Sequence, residues 1–378
     1  MSRLCIYLTY NKENQIFPYM AHTLKALREC SSTLYVVCNY PKIKKGEELL
    51  RPYADNIIYR KNLGYDAGAY KDLLCDILGW DEVHKYDELI LVNDSFFGPF
   101  FDLKKFFNEM QEQSCDFWGM TRSPAGKMDS VGEFRTHIHS YFLVFKKQVL
   151  HSEQFQTFWR DLKYPMLFAE AIRNFEIGIN YCLEQSGFRS MAFTDIWGLE
   201  FKESEIPFLL YSHELIRNYG MPFLKKKNLL IRNHGFQNTL QAINYLKENS
   251  TYPIAWINDM MDRQFHIEGE DTENNNLERF VKKYSKIYIY GAGLCGKNLQ
   301  YYFNYKDWNL DGFLVTDKTG QDVECVTLEE VELNEKTGII ISVLRSDISE
   351  EIAQTIGNRC RREQLFLISD CAAIRIPV

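Results

Sequence analysis

The sequence lacks any uninterrupted apolar run near the roughly 20 residues that span a bilayer, which excludes an obvious membrane-spanning helix. Its first segment, Met1–Tyr10, is a short apolar run with no small-residue cleavage site, so the expected location is the cytoplasm. There is no Cys-x-x-Cys pair among ten scattered cysteines, most of them in apolar segments, and the reading is of reduced core thiols rather than zinc sites or disulfides. Positive charge is also scarce. A formal charge of −7 argues against broad binding to nucleic acid, and Lys225-Lys226-Lys227 is the only short basic run, the one place for peripheral contact with an anionic membrane face or a lipid diphosphate. What the chain has instead is a globular composition, 46% apolar and 25% charged, with 23 Tyr and 26 Phe whose flat rings suit sugars and bases as well as cores.

At 378 residues two domains are expected. The acidic, Asn-rich stretch from Ile267 to Asn276 breaks the apolar periodicity, and the division is read as a domain over 1–266, a linker over 267–280 and a second domain over 281–378. In the first, strands at Leu4–Thr9, Leu34–Asn39, Asn56–Arg60 and Glu88–Asn93 alternate with helices at Gln15–Glu29 and Ala69–Leu78. Later segments, a helix at Leu103–Gln113 and strands near Asp116–Met120 and at Ser140–Lys146, make the sheet mixed. The fold class is therefore α/β: a mixed-sheet sandwich followed by a small Rossmann-like parallel-sheet domain.

In open α/β sheets ligands sit beyond the carboxyl ends of the strands. Here those ends carry Thr9, Asn39, Asn62-Leu-Gly64-Tyr-Asp66-Ala-Gly68 and Asn93-Asp94-Ser95. Two glycines around Asp66 just before a helix offer backbone N–H groups to a diphosphate or to sugar hydroxyls, unless Asp66 is simply the helix N-cap. Asp94, pinned at the end of the most apolar strand and followed by Phe-Phe-Gly-Pro99, suits a Mg²⁺ or Mn²⁺ ion.

Six pieces occur in register: Asn62–Gly68, Asn93-Asp94-Ser95 with Gly98-Pro99, Asp116-Phe-Trp-Gly119, His139-Ser-Tyr-Phe142, Phe175-Glu176-Ile-Gly178 and Tyr219-Gly-Met-Pro-Phe-Leu-Lys225. Together they resemble the rhamnan synthesis protein F family over roughly residues 3 to 235. That resemblance implies a GT-A-type glycosyltransferase of bacterial cell-surface polysaccharide assembly, using a nucleotide-sugar donor, dTDP-rhamnose first, and a glycan or lipid-linked glycan acceptor. It makes Asp94 the counterpart of the metal-binding acid, although Asn-Asp-Ser stands where such enzymes have two aspartates, with His213 as a second metal ligand. It places Thr9, Asn39, Asn62, Gly64, Asp66, Asn93, Ser95 and Lys225 on the donor, with Arg217 and Arg232 as further candidates for its diphosphate, His234 as an alternative to His213 at the metal, and His139 and Trp118 on the acceptor. Glu176, opening a helix Phe175–Gln185, is implied as the general base of an inverting transfer, with Glu170 as its rival.

The second domain carries Gly291-Ala-Gly293-Leu-Cys-Gly296 between a strand and a helix, with Asp317 21 residues after Gly296, the spacing of a dinucleotide fingerprint. It supports a nucleotide site at Gly291, Gly293, Gly296 and Asp317, or an oligomerisation or scaffold role. Two other readings stay open: an NAD(P)-linked oxidoreductase acting on a nucleotide sugar, and a non-catalytic sugar-nucleotide binding protein.

Overall fold

The computed structural model describes residues 1–199, 206–267 and 276–371. By packing, the chain divides into two compact units, Met1–Lys226 with Ser250–Tyr252, and Lys227–Asn249 with Pro253–Val378. The helices Phe236–Asn249 and Ile254–Arg263 thus belong to the second unit, and part of the 267–280 stretch, from Asn276 to Lys283, is helical, while 268–275 lies outside the described residues.

The first unit is built on a seven-stranded sheet in the order Ser190–Ala192, Phe117–Gly119, Phe142–Lys146, Glu88–Asn93, Arg3–Thr9, Thr33–Cys38, Asn56–Tyr59. The last four run parallel, and Phe142–Lys146 enters antiparallel to both its neighbours. Leu89, Ile90, Leu91 and Val92 are fully buried, which is why this strand reads as a continuous apolar run rather than an alternating one. Below the sheet, Tyr70, Phe155, Trp159 and Phe175 form an aromatic core. A parallel half joined through an antiparallel strand makes this a GT-A-like mixed-sheet sandwich.

Several elements differ from the expectation. The first helix starts at Pro18, since proline suits the first helical position. The helix expected at Ala69 begins at Tyr65 and passes at Asp72–Leu78 into a π-helical turn. The helix expected at Phe175 is the later part of a helical run from Phe168 to Gln185, whose Ile172–Ile177 portion is also π-helical, so Glu176 lies within the run rather than opening it. The strand expected from Ser140 begins at Phe142, and His139 falls in the connection from the short ribbon His137–Ile138.

The second unit has a five-stranded parallel sheet, ordered Cys325–Thr327, Gly312–Val315, Lys286–Tyr290, Thr337–Ile341, Leu365–Leu367, a Rossmann-like arrangement. Asn298 explains why the preceding segment joins this unit: its amide donates to the carbonyls of Ile231 (2.5 Å) and Asn233 (2.9 Å). Among the described residues no helix is long and apolar enough to cross a membrane.

Candidate functional site

The carboxyl ends of the first unit's parallel strands carry three groups of hydrogen-bonded polar side chains. Thr9 Oγ1 donates to Asp94 Oδ2 (3.0 Å), and the next strand's Asn39 donates through Nδ2 to Asn62 Oδ1 (3.1 Å) and the Tyr65 carbonyl (3.0 Å). Arg60 donates to Asn39 Oδ1 (2.5 Å) and to Asp72 (2.8 Å), so the amide of Asn39 is fixed in one orientation. Asn93 donates to Asp66 Oδ2 (3.2 Å) and accepts from the Ser95 hydroxyl (2.5 Å), which links the second polar loop to the fourth strand end.

Two backbone features set this geometry. Gly64 and Tyr65 are both left-handed, with φ of 72° and 55°, and the Tyr65 conformation is a strained one for a residue with a side chain. A Cβ on Gly64 would come within 2.6 Å of the Tyr164 ring, which would have to shift, and the φ of 72° strains any residue with a side chain there. Asp66 is then the second residue of its helix, not the N-cap, and its carboxylate takes the backbone N–H of Ala67 (2.9 Å) while remaining turned to Asn93. The second feature is Gly98, with φ 127° and only 2.3 Å between a notional Cβ and the Pro222 carbonyl. This turn lets Phe96–Phe97 pair antiparallel with Leu224–Lys225.

That pairing delivers two lysines to the site. Lys225 Nζ donates to Ser95 Oγ (2.5 Å) and lies over the Tyr141 ring (4.1 Å). Lys226 Nζ lies 3.5 Å from Asp94 Oδ2, donates to Tyr19 OH (2.8 Å) and sits over the Tyr19 ring. The sequence named Lys226 only within the Lys225–Lys227 run, for contact with an anionic membrane face or a lipid diphosphate, and not at the strand end; the two aromatic rings around these lysines come from distant segments.

Glu176 is brought to the same region. Its Oε2 accepts from the backbone N–H and the hydroxyl of Ser140 (2.7 Å each), and Oε1 faces His137 Nε2 at 3.5 Å. Asn180 holds this helix in register by exchanging hydrogen bonds with Ile138 (2.9 and 3.0 Å), a positioning residue that sequence reading did not single out. Burial by itself would raise the Glu176 pKa, but the hydrogen bond from His137, the charges of His139 and His137 and the Ser140 N–H outweigh it and bring it down to about 2. Asp66 goes the other way: burial leads, the Glu176 charge adds to it, and the bonds from Ala67 and Asn93 only partly offset them, so it is pushed up to about 6. A run of rings leads from Glu176 towards the lysines: His137, beside its Oε1, lies against His139 (5.8 Å between ring centroids), His139 against Tyr141 (6.4 Å), and Lys225 Nζ rests on Tyr141.

Four other expected residues are engaged in contacts or elements of their own. Trp118 is 1% exposed and packed on Phe107 and Phe142, so it is a core residue and presents no face to a sugar. His139 is buried against Thr121 (3.0 Å) and Phe208, and desolvation lowers its pKa to about 4, which leaves the ring neutral at pH 7. Glu170 accepts the N–H groups of Met166 (2.7 Å) and Leu167 (3.2 Å), a capping role at the start of its helix. His213 lies in the helix Ser212–Tyr219, and among the described residues no group of three or more His, Cys, Asp and Glu is placed to hold a metal. The strand-end set fits a divalent ion poorly as it stands: Asp94 already faces the Lys226 ammonium, and the Asp66 carboxylate is bonded to Asn93 and to the Ala67 N–H.

In the second unit the glycine loop forms as expected between Lys286–Tyr290 and the helix Leu294–Tyr305. Ser342 Oγ donates towards the carbonyls of Tyr290 and Gly291 (3.0 Å each), and exposed Asp317 accepts from the N–H and hydroxyl of Thr319 (2.8 Å each). A cavity of about 620 Å³ at the carboxyl edge of this sheet is lined by Leu344, Arg345, Ser346, Asp347 and Ser369.

Comparison with known proteins gives relatives at modest identity. The virulence protein VirA of Vibrio anguillarum is 28% identical over 191 residues, 50% of this chain and 58% of that protein. The uncharacterized protein y4gN of Sinorhizobium fredii is 26% identical over 192 residues, 50% of this chain and 46% of that one. The chain thus spans about half the length of these relatives. Among solved structures, TarS of S. aureus is 11% identical, with 69% of this chain and 70% of that chain covered at a TM-score of 0.32. Core-mannan synthase A of Aspergillus fumigatus, in a Mn/GDP form, is 11% identical with 48% and 70% covered at 0.27. Scores this low leave the fold assignment resting on the sheet order itself. A family model described as rhamnan synthesis protein F matches residues 34–371, most of both units and well beyond the segment that carried the motifs, and the chain belongs to that family.

Proposed function

We propose that this protein is a nucleotide-sugar-dependent glycosyltransferase that moves a sugar, rhamnose first, from a nucleoside diphosphate to a growing cell-surface glycan with inversion. The observation that supports the reading is the Asn93–Asp66 hydrogen bond, which ties the Asn62–Gly68 loop to the Asn93–Ser95 strand end at the carboxyl edge of a GT-A-like sheet, with the Glu176 charge felt at Asp66. In the reaction an acceptor hydroxyl oxygen attacks the anomeric carbon, the bond from that carbon to the diphosphate oxygen breaks, and the diphosphate leaves with the electron pair. The hydroxyl proton passes to a carboxylate. Glu176 fills that role in this proposal: Oε2 takes two hydrogen bonds from Ser140, and Oε1 exchanges its 3.5 Å contact with His137 for the acceptor hydroxyl. Asp66 is a second reading, favoured by one observation: its pKa of about 6 is closer to that of an effective base at neutral pH. The rhamnosyl donor is supported by the family description alone.

The test is incubation of the full chain with a panel of nucleotide sugars, dTDP-rhamnose included. Slow release of nucleoside diphosphate by hydrolysis is expected with the true donor, and Glu176→Gln should cut transfer by about a hundredfold or more while donor affinity stays within a few fold. Retained transfer in Glu176→Gln with loss in Asp66→Asn moves the base to Asp66. Donor binding without turnover of any donor, with every acceptor tried, supports a sugar-nucleotide binding protein. The oxidoreductase reading stands on the Gly291–Gly296 loop and requires NAD(H) to bind there and change absorbance with substrate.

A further inference from the structure

Lys225 and Lys226 are consecutive residues, yet both ammonium groups are directed at the end of the Glu88–Asn93 strand, one on Ser95 and the other on Asp94. Neither is a solvated surface lysine. The side chain of Lys226 is 20% exposed, its Nζ held between the Asp94 carboxylate and the Tyr19 hydroxyl, and Lys225 Nζ rests on the Tyr141 face. Lysine is rarely buried without a partner, and the backbone here is arranged for it: the Lys226 N–H donates to the Ser95 carbonyl (3.0 Å), so the chain carrying both lysines is bonded to the very loop they face. A divalent cation brought to Asp94 would meet the Lys226 charge at close range, and a lone carboxylate is a poor site for it.

Resting on the reading that the substrate is a nucleotide sugar, we propose that Lys225 and Lys226 receive the donor's diphosphate in place of a divalent metal ion, with Asp94 and Ser95 acting as positioning residues that hold the two ammonium groups. The charge that builds on the leaving diphosphate as its bond to the sugar breaks is then met by fixed, partly desolvated cations, which stabilise it more than exposed ones would. Asp94 on this account is no metal ligand; it orients Lys226.

The experiment is calorimetric titration of the full chain with dTDP, UDP, GDP and inorganic pyrophosphate, in EDTA and again with Mn²⁺. Binding of at least one nucleoside diphosphate is expected in EDTA, changed less than about threefold by Mn²⁺, with Lys225→Met and Lys226→Met each weakening it about tenfold or more. Lys226→Arg should bind within a few fold of the parent, which guards against a loss due to misfolding, and melting curves of each variant report the fold directly. Asp94→Asn should weaken binding less than Lys226→Met does. Binding seen only with Mn²⁺, or lost in Asp94→Asn and unchanged in Lys226→Met, overturns the lysine pair and leaves the transferase reading intact. No binding of any probe under either condition counts against the nucleotide-sugar reading itself and removes the inference with it.

Discussion

The surroundings of Asp66 and Glu176 push their proton affinities apart. Asp66 is largely desolvated and feels the Glu176 charge, so its folded pKa of about 6 lies above its unfolded value near 3.8. A group raised in this way contributes stability that is full below pH 3.8 and is lost as the pH rises through 6. Glu176 is the reverse, its contribution full above pH 4.5 and lost as the pH falls through about 2. At pH 8 the ionised Asp66 is therefore a cost to the fold, one that an uncharged amide of the same shape avoids. Asp66→Asn is expected to raise stability at pH 8 by about 1–3 kcal/mol, with the gain shrinking towards zero below pH 4, as read from urea melts across that range. A variant that is equally destabilised at both pH values would show that the Asn93 and Ala67 hydrogen bonds outweigh the buried charge.

At the scale of elements, the turn at Gly98 decides whether the lysines arrive. Its φ of 127° is closed to residues with a Cβ, and the Pro222 carbonyl occupies the space a methyl group would need. Gly98→Ala should cost about 2–4 kcal/mol in equilibrium unfolding, and because the Phe96–Phe97 pairing with Leu224–Lys225 shifts with it, nucleoside diphosphate affinity should fall as well. Unchanged affinity in a folded variant would separate the turn from the site. The parallel strands were legible beforehand because runs such as Leu89–Val92 are short, apolar and bounded by polar residues. The π-helical portions at Asp72–Leu78 and Ile172–Ile177 were not, since they break the period on which a helix is recognised. Nor was the fate of Trp118 or Lys226. An indole suits a core or a sugar equally, and only Phe107 and Phe142, brought by folding, decide for the core. The lysine run reads as a place for peripheral contact with a membrane or lipid diphosphate until Phe96, far back in the chain, pairs with Lys225. Strand-end polar residues were the readable part of the site because topology alone fixes which edge they occupy.

For the whole molecule the relevant quantity is the sign of its charge. With a formal net charge of −7 the chain repels an anionic donor at long range, so attraction has to come from cations at contact distance. The Lys225 and Lys226 ammonium groups are partly buried against aromatic rings, where mobile salt screens them little, while the exposed acidic residues responsible for the repulsion are screened readily. Salt therefore acts on two opposing terms and moves the sum only slightly. Raising NaCl from about 50 to 300 mM is expected to change nucleoside diphosphate affinity by less than about fivefold, in contrast to the losses of roughly a thousandfold or more seen when many exposed cations neutralise phosphates. Calorimetric titration at four or five salt concentrations gives the slope. A steep fall would place the diphosphate on exposed surface cations rather than at the strand end, and would separate the donor from the network of Thr9, Asp94 and Lys226.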